Sequence, residues 1–260
     1  MELWAAAKGV LKYWTPSGIL AEYYRRRQGP LRMPPDMPRL LPVRGLGELF
    51  PGIQSTEVRF PVSLLEGRGE WTLPLAELST LIAICSHTRP RRIYEMGTYT
   101  GTATLAMAMN TPRSTEIFTL DLDPAETAAL GLTPDGTDAS RFIVGSSYRG
   151  TPFESRVCQL TGNTMTFDHS PYYRTMDLVF IDANHTYPFV KNDTENAFKL
   201  LRSGGSIIWD DYAWDERHPE CAGVTQCLNE LAPSRPVFQI RGTRLAIYLD
   251  RIEGTIEAQP

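Results

Sequence analysis

The sequence predicts an α/β protein built on a doubly wound, mostly parallel sheet of seven strands, preceded by a helical N-terminal extension. Two observations carry this. From about residue 75 onward, short apolar runs alternate with stretches of helical periodicity, the pattern of strand, crossover helix and parallel strand. Those runs also end on Gly, Asp or Asn, and an open parallel sheet gathers its ligand chemistry at the carboxyl ends of its strands.

The first 72 residues read as the extension and a connector or lid. Leu3, Trp4, Ala7, Leu11 and Trp14 recur at helical spacing and form one apolar stripe, suited to packing on the chain's own domain or on a second subunit as a homo-oligomer. Arg25, Arg26 and Arg27 lie close by, so a helix resting on a membrane surface is the less favoured alternative. The prolines of "GPLRMPPDMPRLLP" forbid a long helix, which makes residues 29 to about 60 irregular.

A second domain is expected over residues 73–260. "LPLAELSTLIAICSHT" reads as its first helix, with Leu75, Leu78, Leu81, Ile82 and Cys85 on one face. "RRIYEMG", "EIFTLDL", "RVCQLTG", "MDLVFIDA", "SIIWDD", "VFQIRG" and "TRLAIYLD" are the seven strands. Between them "TATLAMAMN", "PAETAALGL", "PFVKNDTENAFKLL" and "CAGVTQCLNELA" are helical, the second opened by Pro124 and the third stopped by Gly204 and Gly205.

Composition narrows the function classes. A net charge of -4 and a pI near 5.7 provide no broad basic field, so a nucleic-acid partner is not expected. Cys85, Cys158, Cys221 and Cys227 show neither a redox pair nor zinc spacing and read as reduced thiols. "MELWAAAKGVLKYW" lacks the order of a secretory signal, and the expected compartment is the cytoplasm. The sequons at Asn184 and Asn192 then carry no glycan.

The residues after each strand are best read together. They are Glu95, Gly97 and Gly101, then Asp121 and Asp123, then Gly162 and Asn163, then Asp182 and His185, and last Asp210 and Asp211. "EMGTYTG" separates two cofactor classes. A dinucleotide fingerprint has a second glycine where the backbone meets a pyrophosphate, and here that position is Tyr99. A tyrosine suits a cofactor without phosphates, while Asp121 ends the next strand, where it can accept hydrogen bonds from ribose hydroxyls. The pair favours S-adenosylmethionine over NAD. An NAD-dependent dehydrogenase is the rival enzyme reading.

Glu95 to Gly101 resembles the cofactor loop of the class I S-adenosylmethionine-dependent O-methyltransferases, especially the metal-dependent catechol and caffeoyl-CoA type and the bacterial sugar O-methyltransferases. The resemblance covers most of residues 75–250 and implies a Rossmann-like methyltransferase fold. It also implies cofactor binding by Glu95, Gly97, Tyr99, Gly101, Asp121, Asn163 and Asp182. "FIDANHTYPFVKNDTENAFKLLRSGGSIIWDDY" is similar to the family's segment in which an Asp after one strand and an adjacent pair after the next hold a divalent ion. Carried over, the ligands are Asp182, Asp210 and Asp211, with Mg²⁺ preferred and Mn²⁺ or Ca²⁺ as substitutes. Asp211 stands where the catechol type usually has Asn, which is closer to the sugar-modifying branch.

His185 occupies the offset from Asp182 at which the catechol type places a catalytic lysine, and imidazole can also accept a proton. His185 and Asp182 are therefore the catalytic candidates; His169 and His218 read as loop residues of lesser interest. The expected acceptor is a small molecule with a hydroxyl, such as a sugar diol or catechol, because vicinal hydroxyls chelate a divalent ion. Tyr172, Tyr173, Tyr187, Tyr212 and Trp214 are candidate pocket walls. Outside enzymology the alternative is a methyltransferase-like module that binds partners without turnover.

Overall fold

The structure is a computed structural model and describes residues 39–62, 72–123, 143–213 and 221–250. The N-terminal stripe, the arginine cluster, the helix expected from Pro124, Trp214 and His218 lie outside the described residues.

The sheet has eight strands. In chain order they are β1 (Val43–Arg44), β2 (Arg92–Met96), β3 (Glu116–Asp121), β4 (Val157–Thr161), β5 (Met176–Ile181), β6 (Leu201–Trp209), β7 (Val237–Ile240) and β8 (Ala246–Leu249). They lie side by side as β1-β7-β8-β6-β5-β2-β3-β4. Every pairing is parallel except those of β8, which runs antiparallel to both β6 and β7. The strand beyond the expected seven is β1, which comes from the proline-rich connector. Its two residues pair with Gln239 and Ile240 at the sheet edge, too short a run to give a periodic signal.

The helices are α1 (Leu46–Leu49), α2 (Leu75–Thr88), α3 (Thr102–Met109), α4 (Tyr187–Leu200) and α5 (Ala222–Leu231). Alternate residues of the central strands face opposite layers, which explains why those strands are apolar throughout rather than every second residue. Ile93, Ile117, Leu178, Phe180 and Ile208 pack with Leu78, Leu81, Ile82 and Cys85 of α2 and with Ala106 and Met107 of α3. Tyr94, Met96, Val179, Ile181, Ile207 and Trp209 pack with Val190, Ala197 and Leu200 of α4 and with Val224 and Leu228 of α5. Leu49, Phe50 and Ile53 join the first of these layers, so part of the connector is core.

Two local expectations are corrected. Leu75 is 47% exposed, because the first residue of α2 projects beyond the sheet that covers Leu78 and Leu81. Gly204 and Gly205 do not stop α4; the chain passes from Leu200 directly into β6, where both glycines lie. A Cβ on Gly205 would sit 2.7 Å from the Leu201 side chain and 2.8 Å from the Asp177 carbonyl, beside the register shift between β5 and β6. The glycine permits close strand approach instead of capping a helix.

Past their last paired residues the parallel strands remain tied to one another. The amide of Gly162 donates to the Asp121 carbonyl, Gly97 to Leu120, Asp182 to Met96 and Asp210 to Ile181, at 2.9 to 3.0 Å. This staircase sets four loops in register along one edge of the sheet. The backbone at Gly97, Gly162, Asp182 and Asp210 is thereby fixed.

Candidate active site at the carboxyl edge of the sheet

The loop after β2 closes on Asp121. The amides of Thr98 and Tyr99 donate to Asp121 Oδ2 at 2.9 and 2.6 Å, and that of Leu122 to Oδ1 at 2.7 Å. Burial raises the Asp121 pKa, opposed by these three backbone bonds. Tyr99 has φ +49°, a left-handed conformation that costs a residue with a side chain about 1 kcal/mol. Its carbonyl accepts from Gly145 at 2.9 Å, so both backbone polar groups of Tyr99 are committed within the protein. A Cβ on Gly101, at φ +79°, would stand 2.7 Å from the Tyr148 ring. Tyr148 in turn donates to Gln159 Oε1 at 2.5 Å, and Gln159 reaches the Thr98 hydroxyl at 3.1 Å.

Glu95 lies beneath this loop at 1% exposure. Thr104 and Thr119 donate to its Oε2 at 2.5 and 2.6 Å, and burial pushes its pKa up to about 8 against those two bonds. Asn163 follows Gly162 at the end of β4; its Oδ1 accepts from the Met165 amide at 2.9 Å, which shapes the adjoining turn.

Asp182, His185 and Asp211 come together. His185 Nε2 is 3.2 Å from Asp211 Oδ2 and 3.7 Å from Asp182 Oδ1, and ligand atoms of the three residues all lie within 4.8 Å of one another. The backbone of the His185 loop is held from two sides. Thr186 donates through its amide and hydroxyl to Asn184 Oδ1, while Gly223 of α5 packs so closely that a Cβ there would overlap the His185 carbonyl. Burial raises the Asp182 pKa, the His185 side chain opposes that and Asp211 adds to it.

The strand β6 stops at Trp209, and the chain turns sharply: Asp211 has φ +60°. That turn brings neighbouring carboxylates toward one region although adjacent strand residues face apart. Asp210 is 5% exposed, and its Oδ1 has no hydrogen-bond partner among the described residues. Its carboxyl is pushed well above the usual carboxylate range, first by burial and then by Asp182 and Asp211. The compact ligand-like group thus holds His185 in addition to Asp182 and Asp211, with Asp210 coupled to it by charge.

Arg244 and Glu77 belong to this region and carried no signal in the sequence. Arg244 Nη1 is 2.8 Å from Asp211 Oδ1, and its Nε is 3.7 Å from Glu77 Oε1. Burial alone would lower the Arg244 pKa, but Asp211 and Asp210 outweigh it and the net shift is upward. An arginine in a tight turn between strands and an acid in the first turn of a helix both look like surface residues.

The other candidates disperse. His169 is not an exposed loop residue: it is 3% exposed, with Nδ1 3.1 Å from the Tyr94 hydroxyl and Nε2 3.2 Å from the Thr164 carbonyl. Tyr212 is buried and donates to Asn229 Oδ1, Tyr187 donates to Glu230, Tyr172 packs on Tyr94 and Phe118, and Tyr173 is exposed. These tyrosines do not form one wall. All four cysteines are free thiols, with Cys158 alone exposed. Among the described residues no helix is long and apolar enough to cross a membrane.

The sheet is doubly wound and mostly parallel, its antiparallel strand β8 lies third from the β1 edge, and the glycine loop after β2 closes on the acid that ends β3, a Rossmann-like arrangement. Residues 94–212 match the family model described as a methyltransferase domain, a span that contains both the glycine loop and the acid cluster. That match describes a methyltransferase domain within the chain. A sequence search among curated proteins finds no match.

Two solved structures agree on the fold. A proposed caffeoyl-CoA O-methyltransferase from Staphylococcus aureus superposes with a TM-score of 0.52 at 16% identity, over 73% of this chain and 88% of that one. A Corynebacterium glutamicum protein gives 0.51 at 12% identity, over 75% and 88%. The O-methyltransferase TomG of Streptomyces achromogenes, involved in tomaymycin synthesis and solved with S-adenosylmethionine, gives 0.49 at 20% identity, over 78% and 96%.

Proposed function

We propose that the protein moves the methyl group of S-adenosylmethionine to a hydroxyl oxygen of a small molecule, a sugar diol or a catechol-like compound, with a divalent cation assisting. One observation carries this reading. The backbone staircase puts the glycine loop and Asp121 on the same sheet edge as Asp182, His185, Asp210 and Asp211. A cofactor loop and a set of hard oxygen donors side by side suit alkylation of a chelated oxygen.

The donor set fits a divalent cation. Two carboxylates, Asp182 and Asp211, converge with the His185 imidazole, and the neighbouring Asp210 has a buried carboxylate oxygen without a partner among the described residues, a costly state that a cation would relieve. Asp182, Asp210 and Asp211 would hold it, Mg²⁺ being the expected ion. When bound, the cofactor supplies a methyl already activated on sulfonium, and the cation supplies positive charge that acidifies an oxygen beside it.

The chain's own residues do the rest. Gly97, Tyr99 and Gly101 shape the loop, Glu95 braces it from beneath through Thr104 and Thr119, Asp121 closes it, and Asn163 stands after the neighbouring strand β4. Asp121 retains acceptor capacity for ribose hydroxyls, since two oxygens offer about four lone pairs and three are used. His185 accepts the proton of the acceptor hydroxyl, with Asp182 and Asp211 holding its ring. The dehydrogenase reading is disfavoured by Tyr99, whose amide already donates to Asp121 where a pyrophosphate would need a donor. With a net charge of -4 the acceptor is not a nucleic acid.

Calorimetric titration with S-adenosylmethionine and with NAD tests the cofactor. Binding of the first alone is expected; binding of NAD alone would replace the reading. Transfer of labelled methyl from the cofactor to a small molecule in a cell extract then separates an enzyme from a silent binding module.

A further inference from the structure

We propose that Arg244 is a built-in counter-cation of the acid cluster, a positioning residue anchored by Glu77 that holds Asp211 and weakens the cluster's grip on a divalent cation. The inference rests on the reading that this cluster takes such a cation.

Arg244 is held at three points, all of them at the cluster's border. Its amide donates to Glu77 Oε1 at 3.0 Å, its carbonyl accepts from the Tyr212 amide at 2.8 Å, and its Nη1 is 2.8 Å from Asp211 Oδ1. The turn between β7 and β8 is therefore sewn to the left-handed turn at Asp211 through both backbone and side chain. Asp211 divides its carboxylate: Oδ1 faces the guanidinium, and Oδ2 is 3.2 Å from His185 Nε2. One oxygen fixed by Arg244 is what leaves the other aimed at the histidine.

Glu77 makes sense only through Arg244. A glutamate in the first turn of a helix is ordinarily solvated, yet this side chain is 6% exposed and its Oε2 has no hydrogen-bond partner among the described residues. A carboxylate so buried needs a cation, and Arg244 provides it with both an N–H of the main chain and the guanidinium. Glu77 thus holds Arg244 in place, and Arg244 holds Asp211.

The guanidinium stays charged at every working pH, so it brings a permanent positive charge to a group that carries Asp182, Asp210 and Asp211. A divalent cation bound to Asp211 would share that carboxylate with Arg244, and like charges a few ångström apart repel strongly in a partly buried site. The repulsion outweighs the loss of one side-chain contact. A neutral residue at position 244 should consequently tighten cation binding, whereas general damage to the site could only loosen it.

The test is calorimetric titration of the full chain with Mn²⁺, comparing wild type, R244K and R244Q, with a parallel S-adenosylmethionine titration to show that each variant is folded. R244Q should bind Mn²⁺ about tenfold more tightly than wild type or better, and R244K, which keeps the charge, should stay within about threefold. Wild type that binds Mn²⁺ with R244Q equal or weaker overturns the inference and leaves the divalent reading standing. No Mn²⁺ bound by any of the three overturns both. Should R244Q fail to fold, R244K decides: a tenfold gain with the charge retained would show that charge is not the agent.

Discussion

A Cβ on Gly97 would overlap the backbone carbonyl of Asp182. The glycine loop after β2 and the acid cluster are therefore packed backbone to backbone, with no side chain between them. Gly97 also has φ +95°, so any substitution there meets both a backbone clash and a disfavoured conformation.

Gly97→Ala should destabilise the protein by about 3 kcal/mol or more, because neither the carbonyl nor the loop can give way cheaply. Gly150→Ala is the control, since Gly150 has φ +72° but nothing within 4 Å of its added Cβ. It should cost only about 1 kcal/mol, the conformational share. Urea unfolding of both variants checks the difference; equal losses would mean that the clash is absorbed.

Asp121→Ala should weaken binding of S-adenosylmethionine and of its demethylated product by about 1 to 3 kcal/mol, the usual loss for a hydrogen bond to a charged group. Part of that loss reflects the loop itself, whose Thr98 and Tyr99 amides would lose their acceptor. Calorimetry reads the outcome. Unchanged affinity for both ligands would remove Asp121 from the cofactor site.

The sequence made the sheet legible because its central strands are buried on both faces and so appear as unbroken apolar runs such as "RIYEM" and "MDLVFI". It made the strand-end acids legible for the same reason, since each stands where such a run stops. What it hid was arranged by tertiary contact alone. Two-residue β1 is a strand only because β7 offers an edge, and His169 is buried only because Tyr94 and Thr164 receive its ring nitrogens. Arg244 reaches Asp211 from a turn 33 residues further along the chain, and no periodicity encodes that meeting.

Asp193 gives the fold a pH dependence. It lies fully buried on α4, Asn192 Nδ2 is 3.1 Å from its Oδ1, and burial raises its pKa to about 7. In the unfolded chain it ionises near its ordinary value, so between about pH 4 and pH 7 the unfolded state binds fewer protons than the native one and stability falls as pH rises. The contribution is full below about pH 4 and gone above about pH 7, worth up to about 4 kcal/mol. Asp193→Asn should match wild type in acid and be the more stable protein at pH 8. Urea unfolding at both pH values checks this, and a constant difference would contradict it.

His185→Gln should lower kcat by roughly 10²- to 10⁴-fold, the usual worth of a general base, while leaving cofactor affinity nearly unchanged. Glutamine keeps a polar side chain beside Asp182 and Asp211 but takes up no proton. A loss below about tenfold would assign the proton to solvent and leave His185 as support for the loop before α4.

The most direct measurement is transfer of labelled methyl from S-adenosylmethionine to a small-molecule hydroxyl, run with chelator, with chelator and excess Mg²⁺, and with Asp210→Asn. Chelator should abolish transfer, Mg²⁺ should restore it, and the variant should need more Mg²⁺ than wild type, because Asp210 brings the buried oxygen that lacks a partner among the described residues. Full transfer in chelator by both proteins would contradict the account.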